Sequence, residues 1–319
     1  MMMFQTKRFY TFVKFLFIFV VGVFLNSAPL ADAQTDDSTV FVVQVSRNVV
    51  SKLDLTILAT LPVFEPDDEQ FIYGLGCSEE GKLYASLKNF DDNIGSIVEF
   101  DQSGQNQRVI FESDDIFPIA LDVDPQGNIW FIDSQNNFEL RRIWRINPND
   151  ETPEAEIVVQ AAAFDSRVEV RNITSDTLII KTGPFAGDLL VTLDREKTVL
   201  RLSAPGFSQI TPFIQGDFDF GESLPTSMTQ TDDGRIFVSG FSGNDVHVFT
   251  NEGVPIPDEQ GIYKVINSAN RIDIDQSGIL YVNSRTFERA SGGLIRIFPN
   301  GSRESLGIAD AFEVAICES

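Results

Sequence analysis

Few side chains in this chain could do chemistry by type alone. His247 is the single histidine, which excludes a mechanism needing two and any all-histidine metal site. It sits inside DVHVF, where alternation reads as a strand residue rather than a base. No G-x-S-x-G elbow, P-loop or C-x-x-C pair occurs. What remains is oxygen, guanidinium and two thiols. Asp91, Asp92 and Asn93 form an oxygen cluster suited to a hard cation. Arg141, Arg142, Arg285 and Arg289 lie in polar stretches where they could clamp an anionic group; the plainer reading of both sets is solvated loop. Cys77 and Cys317 are even in number, which allows one disulfide or two buried thiols.

The elements that must hold these residues repeat. A tight turn recurs as Ser78–Gly81, Asp124–Gly127, Thr231–Gly234 and Asp275–Gly278, with a degenerate copy ending at Gly187. After each comes an apolar strand: KLYAS, NIWFID, DLLVT, RIFVSG and ILYVN. A third strand then closes on a second turn, as SIVEF does before Asp101. The turn glycines are 46, 60, 47 and 44 residues apart. Four short strands per mid-forties unit predict an all-β, six-bladed β-propeller. Five units are complete. Phe312–Ser319 reads as a first strand that stops, while Thr39–Leu61 supplies second to fourth strands lacking a first. Joining them closes the ring and removes two open sheet edges. The expected blades run roughly 63–115, 116–162, 163–216, 217–267 and 268–308, with 309–319 joined to 38–62.

Residues 1–33 read as a signal peptide. Lys7, Arg8 and Lys14 precede the uncharged eleven-residue run Phe15–Leu25, and Ala31-Asp32-Ala33 offers a cleavage site. The alternative, a membrane anchor, falls short of the roughly 20 residues a spanning helix needs. The propeller then occupies 34–319, in a secreted or periplasmic protein. Cleavage removes three basic residues and one acidic one, taking the net charge from −23 to −25. So acidic a surface excludes nucleic acid as a partner and opposes adsorption to anionic membranes. Asn172-Ile173-Thr174 and Asn300-Gly301-Ser302 fit glycosylation acceptors if the export route is eukaryotic.

In such a ring, the residue eight before each turn glycine marks the channel mouth. Those residues are Tyr73, Ile119, Thr226 and Asn270. Aligning Cys317 with Cys77 adds Glu313; in the irregular third blade, Asn172 and Asp176 are the polar candidates. That alignment also puts the two cysteines on innermost strands of adjacent blades. The longer, more polar loops share the mouth's face and include Asp91, Asp92, Asp133, Arg141 and Arg285. Rim loops of a rigid scaffold are where binding concentrates.

PIALDVDPQGNIWFID and ANRIDIDQSGILYVN resemble the repeats of the NHL and gluconolactonase (senescence marker protein)-like propeller superfamily. The resemblance covers nearly the whole mature chain, but through structural turns and strands. It implies a divalent cation, often Ca²⁺, at the channel mouth, with a carboxylate as base. Asn270 matches the family's asparagine and Glu313 is a carboxylate at the next blade's ring position. Thr226 stands where the family has Asp, and Ile119 cannot bind a metal. Two readings follow: a monomeric scaffold binding a small molecule, glycan or protein through the long-loop face, or a Ca²⁺-dependent lactonase or hydrolase.

Overall fold

The computed structural model describes residues 38–317, apart from 57, 134–141, 160–172, 194–195, 215–218, 222–223, 242–244, 258–262, 264–268 and 285–292. It is a six-bladed β-propeller whose described residues contain no helix. The split blade is real. β1 (Thr39–Gln44), β2 (Val49–Asp54) and β3 (Ala59–Phe64) follow β24 (Ala311–Cys317) in one sheet, with β24 innermost. Blade one is β4 (Gln70–Cys77), β5 (Leu83–Asn89), β6 (Ile94–Phe100) and β7 (Arg108–Ser113). Blade two is β8 (Pro118–Val123), β9 (Ile129–Asp133), β10 (Ile143–Ile146) and β11 (Glu156–Val159). Blade three is β12 (Ile173–Ile179), β13 (Leu189–Leu193), β14 (Thr198–Ser203) and β15 (Gln209–Pro212). Blade four is β16 (Leu224–Gln230), β17 (Ile236–Phe241), β18 (Val246–Phe249) and β19 (Pro255–Ile256). Blade five is β20 (Ala269–Ile274), β21 (Leu280–Ser284), β22 (Gly293–Ile297) and β23 (Arg303–Ala309).

The second strands explain the sequence's apolar runs. IWFID and LLVTL are buried along their whole length, because a blade packs a neighbour on each face. Among the described residues six apolar clusters fill the spaces between blades; one packs Trp130 and Ile132 of blade two against Leu189, Val191 and Leu202 of blade three.

The repeated turn has a chemical cause. Asp124 Oδ1 accepts the amides of Gln126 and Asn128, and Oδ2 accepts Asn128 Nδ2 and Trp130 Nε1. One carboxylate thus satisfies four donors that a tight turn would otherwise leave open. Gly127 takes φ +80°, where a side chain is strained. In blade three this turn is longer, running from Ile180 to Asp188 with Gly183 and Gly187 both at positive φ. That lengthening contributes four residues to the 60-residue spacing; much of the rest falls in the sequence between β11 and β12.

Where β4, β16, β20 and β24 enter the ring, each strand carries a bulge. The register skips Tyr73, Thr226, Asn270 and Phe312. A bulge re-aims the side chains that follow it. In β8 the skip falls at Ala120 and Leu121, with Ala120 at φ +51°.

Candidate functional site

The first strands of the blades touch one another around a central channel, a cavity of about 150 Å³. Each innermost strand is a sheet edge, so its channel-side amides have no strand partner. The chain meets this with side chains from the preceding blade. Asp122 Oδ2 accepts Ile179 N across the blade two–three seam at 2.9 Å. Asp176 Oδ2 accepts Met228 N at 2.7 Å, and Ser227 Oγ accepts Ile272 N at 3.4 Å. Asp273 Oδ2 accepts Ile316 N at 2.8 Å, and its other oxygen accepts Thr229 Oγ1 at 3.0 Å.

Two seams are closed differently. Between blades one and two the strands approach directly. A Cβ on Gly74 would stand 3.2 Å from Leu121 N and 3.3 Å from Ala120 N. Between blades six and one, Cys317 is bonded to Cys77 with Cα atoms 5.4 Å apart, closing a loop of 240 residues. The bond pins the last strand to the first complete blade. Constraining so long a loop in the unfolded chain is worth on the order of 4 kcal/mol.

The channel's charge is concentrated in two tiers. At the first, Arg271 Nε lies 2.8 Å from Glu313 Oε1, and Nη1 lies 3.8 Å from Asp176 Oδ1. Nη1 also donates to Thr226 O at 3.1 Å. One guanidinium therefore links blades three, four, five and six. At the second tier Asp122 and Asp273 line the cavity with Lys181. Across the two tiers four carboxylates face two cations, and Glu79 and Asp232 also lie on the cavity wall. Burial pushes Asp122 up to about 7, against the pull of Lys181 and the Ile179 amide. It raises Asp176 to about 6 and Glu313 to about 7, each opposed first by Arg271. Asp273 is raised by burial too.

The expected ring residues fare unevenly. Glu313 does reach the channel, but Tyr73, Thr226 and Asn270 are absent from its lining. The structural equivalent of those three is Phe312, on the bulge; Glu313 is one place farther on. Anchoring the alignment on the cysteines shifted the split blade by one residue. Ile119 packs at the edge of the blade two–three core. Asn172, Arg141, Arg285 and Arg289 lie outside the described residues. Asp91 and Asp92 are exposed, their amides capped by Asn89 Oδ1. Asp133, expected on the rim, is fully buried: it accepts Phe117 N and pairs with Arg142 at 2.6 Å. His247 lies on β18, edge-on to Phe220 at 5.1 Å, its pKa lowered by burial.

Sequence reasoning missed Arg271, Asp122, Asp273 and Lys181. A signal existed. Asp122 and Asp273 occupy the same repeat position in LDVD and IDID, and a carboxylate inside an innermost strand needs a buried partner.

These residues do not fit the calcium site that the resemblance implies. Glu313 is already paired with a guanidinium, Asn270 is outside the channel lining, and Thr226 donates its hydroxyl to Asn270 O at 3.1 Å. Among the described residues no three His, Cys, Asp or Glu side chains are grouped to hold a metal.

No family model matches the chain, and no curated protein sequence matches it. Solved structures do. A chain of a nidogen/laminin complex superposes with TM-score 0.64 at 12% identity, covering 88% of this chain and 98% of that one. TolB from Acinetobacter baumannii gives 0.62 at 14% identity, over 88% and 66%. A putative gluconolactonase gives 0.51 at 17% identity, over 78% and 86%. At such identities the likeness is one of fold.

Proposed function

We propose that the protein is exported and acts as a binding scaffold, engaging a small molecule, glycan or protein through its long-loop face and channel mouth. The observation that carries this reading is the Glu313–Arg271–Asp176 chain. The carboxylate at the mouth has its counter-charge built into the protein, so its chemistry is that of a brace between blades. A base or metal ligand needs that oxygen free. The nidogen/laminin chain, taken from a complex of two proteins, is similar in fold over nearly its full length. Export is supported by the Cys77–Cys317 bond, since disulfides persist in oxidising compartments.

The test uses protein recovered from outside the cytoplasm, sequenced from its N-terminus and then titrated calorimetrically with Ca²⁺ and Zn²⁺. The expected terminus is Gln34. No saturable heat is expected up to millimolar metal, for the wild type or for Glu313→Ala. Retention of residues 1–33 in the cytoplasm counts against export. A stoichiometric Ca²⁺ site lost in Glu313→Ala overturns the scaffold reading in favour of the metal-dependent hydrolase.

A further inference from the structure

The large apolar side chains exposed among the described residues are mostly scattered. Val109 and Ile157 stand on outer strands and Val254 beside a turn, and such singletons are ordinary. Val45, Phe71 and Phe90 are different. They are 54%, 44% and 49% exposed, and all lie on the long-loop face where blades six and one meet. Phe71 and Phe90 meet edge to face at 5.5 Å, and Tyr73 adds a third ring 6.2 Å from Phe90. The turn carrying Val45 is tied to the same strand: Asn48 Nδ2 donates to Gln70 O, and Asn48 Oδ1 accepts Ile72 N at 3.1 Å. Asn93 Nδ2 donates to Asp114 O, which brings in the loop entering blade two.

Charge surrounds this patch with one sign. The segments that build it (45–48, 65–73, 88–93 and 112–117) carry nine acidic residues against Arg47 and Lys88. Lys88 shows what such a surface attracts. Its ammonium stands 4.7 Å from the Phe90 ring centre and 4.0 Å from that of Phe117. A cation over an aromatic face is held by the ring quadrupole, and acidic neighbours strengthen the local field.

We infer that this patch is a docking surface for a cationic peptide segment bearing large apolar side chains, presented by a partner protein. The inference rests on the scaffold reading above and assigns that scaffold a face and a partner chemistry. Charge complementarity selects a basic segment, and the exposed rings select apolar anchors within it. A sugar fits less well. Pyranose rings stack on flat, open aromatic faces, whereas Phe71 and Phe90 are inclined at 68° and Lys88 covers one face of Phe90.

The test is selection of a random dodecapeptide library, displayed on phage, against the immobilised protein, followed by affinity measurement of the enriched peptides. Enriched sequences are expected to carry net positive charge and at least two large apolar residues. Affinity is expected to fall at least tenfold in Phe71→Ser/Phe90→Ser, to fall with salt, and to be unchanged in Val109→Ser. Enriched peptides that are acidic or neutral overturn the proposal, as do peptides that bind the double variant equally well. If the latter compete with one another at another part of the same face, the scaffold reading survives and this patch assignment fails. If no peptide is enriched and a parallel oligosaccharide array binds through Phe71 and Phe90, the surface takes a glycan instead. If neither library binds, the patch assignment falls, and the scaffold reading stands or falls on the metal titration above.

Discussion

Asp124 and Glu313 are both buried carboxylates on inner parts of the ring, at 4% and 6% exposure, and they are treated oppositely. Asp124, at the turn face, accepts four aligned N–H groups from its own turn and strand. Glu313, at the loop end of the channel, has one guanidinium from another blade and little else. The first is local, and can be repeated wherever a turn needs it; Asp275 does the same for Ser277 and Ile279. The second is assembled from residues 42 positions apart that meet only when the ring closes. Carboxylates satisfied within a turn therefore build each blade, while those in the channel hold the blades to one another and keep their charge only while a partner from another blade is present.

The largest expected effect breaks the channel set. Arg271→Met removes the one cation shared by Glu313 and Asp176, leaving two buried carboxylates uncompensated. Losing one partner of a buried pair costs about 3–5 kcal/mol, measurable by chemical denaturation at pH 8. Adding Glu313→Gln should recover part of that loss. If Arg271→Met is neutral at pH 8, the guanidinium is not bracing the ring.

Asp124→Ala attacks the turn set and should cost about 2–3 kcal/mol, the penalty for orphaning buried donors rather than for losing a charge partner. Asp124→Asn keeps an acceptor oxygen and should cost less. A loss equal to that of Arg271→Met, and equally recovered by a change at Glu313, would erase the distinction between the two sets.

The contrast also explains what could be read from the chain. Turn residues act within four to six positions of themselves, so D-P-Q-G and D-Q-S-G announce the blades, and the missing first strand of Thr39–Leu61 announces the closure. The two cysteines lie on adjacent inner strands, as the blade assignment places them, although their repeat positions differ by one. The channel was legible only in part, because its partners are remote in sequence and a one-residue slip reverses which side faces inward. Glu313 and Asp176, both polar candidates from the sequence, line the cavity, Glu313 one repeat position away from the one expected. Arg271, next to Asn270, was passed over because the bulge that turns it toward the channel has no sequence signature of its own. Asp133 and Arg142 look like rim residues in a polar stretch; the bond to Phe117 N that draws Asp133 inward comes from the preceding loop.

The smallest effect is also the most specific to the channel, because it needs no mutation. Burial lifts Asp122 and Glu313 to about 7 and Asp176 to about 6 in the folded protein, against about 4 in the unfolded chain. Between pH ~4 and ~7 the folded state therefore binds more protons than the unfolded one, and linkage makes stability fall as pH rises through that window. Each extra proton contributes up to about 1.4 kcal/mol per pH unit. Melting temperature should rise by about 4 °C or more from pH 8 to pH 5.5. Lower pH also relaxes the self-repulsion of a strongly acidic surface, so the wild type alone does not isolate the channel. Asp122→Asn does. It keeps an oxygen to accept the Ile179 amide while removing one titrating group, and the slope of melting temperature against pH should become shallower. An unchanged slope would place the proton uptake on the surface and leave the channel carboxylates ionised throughout.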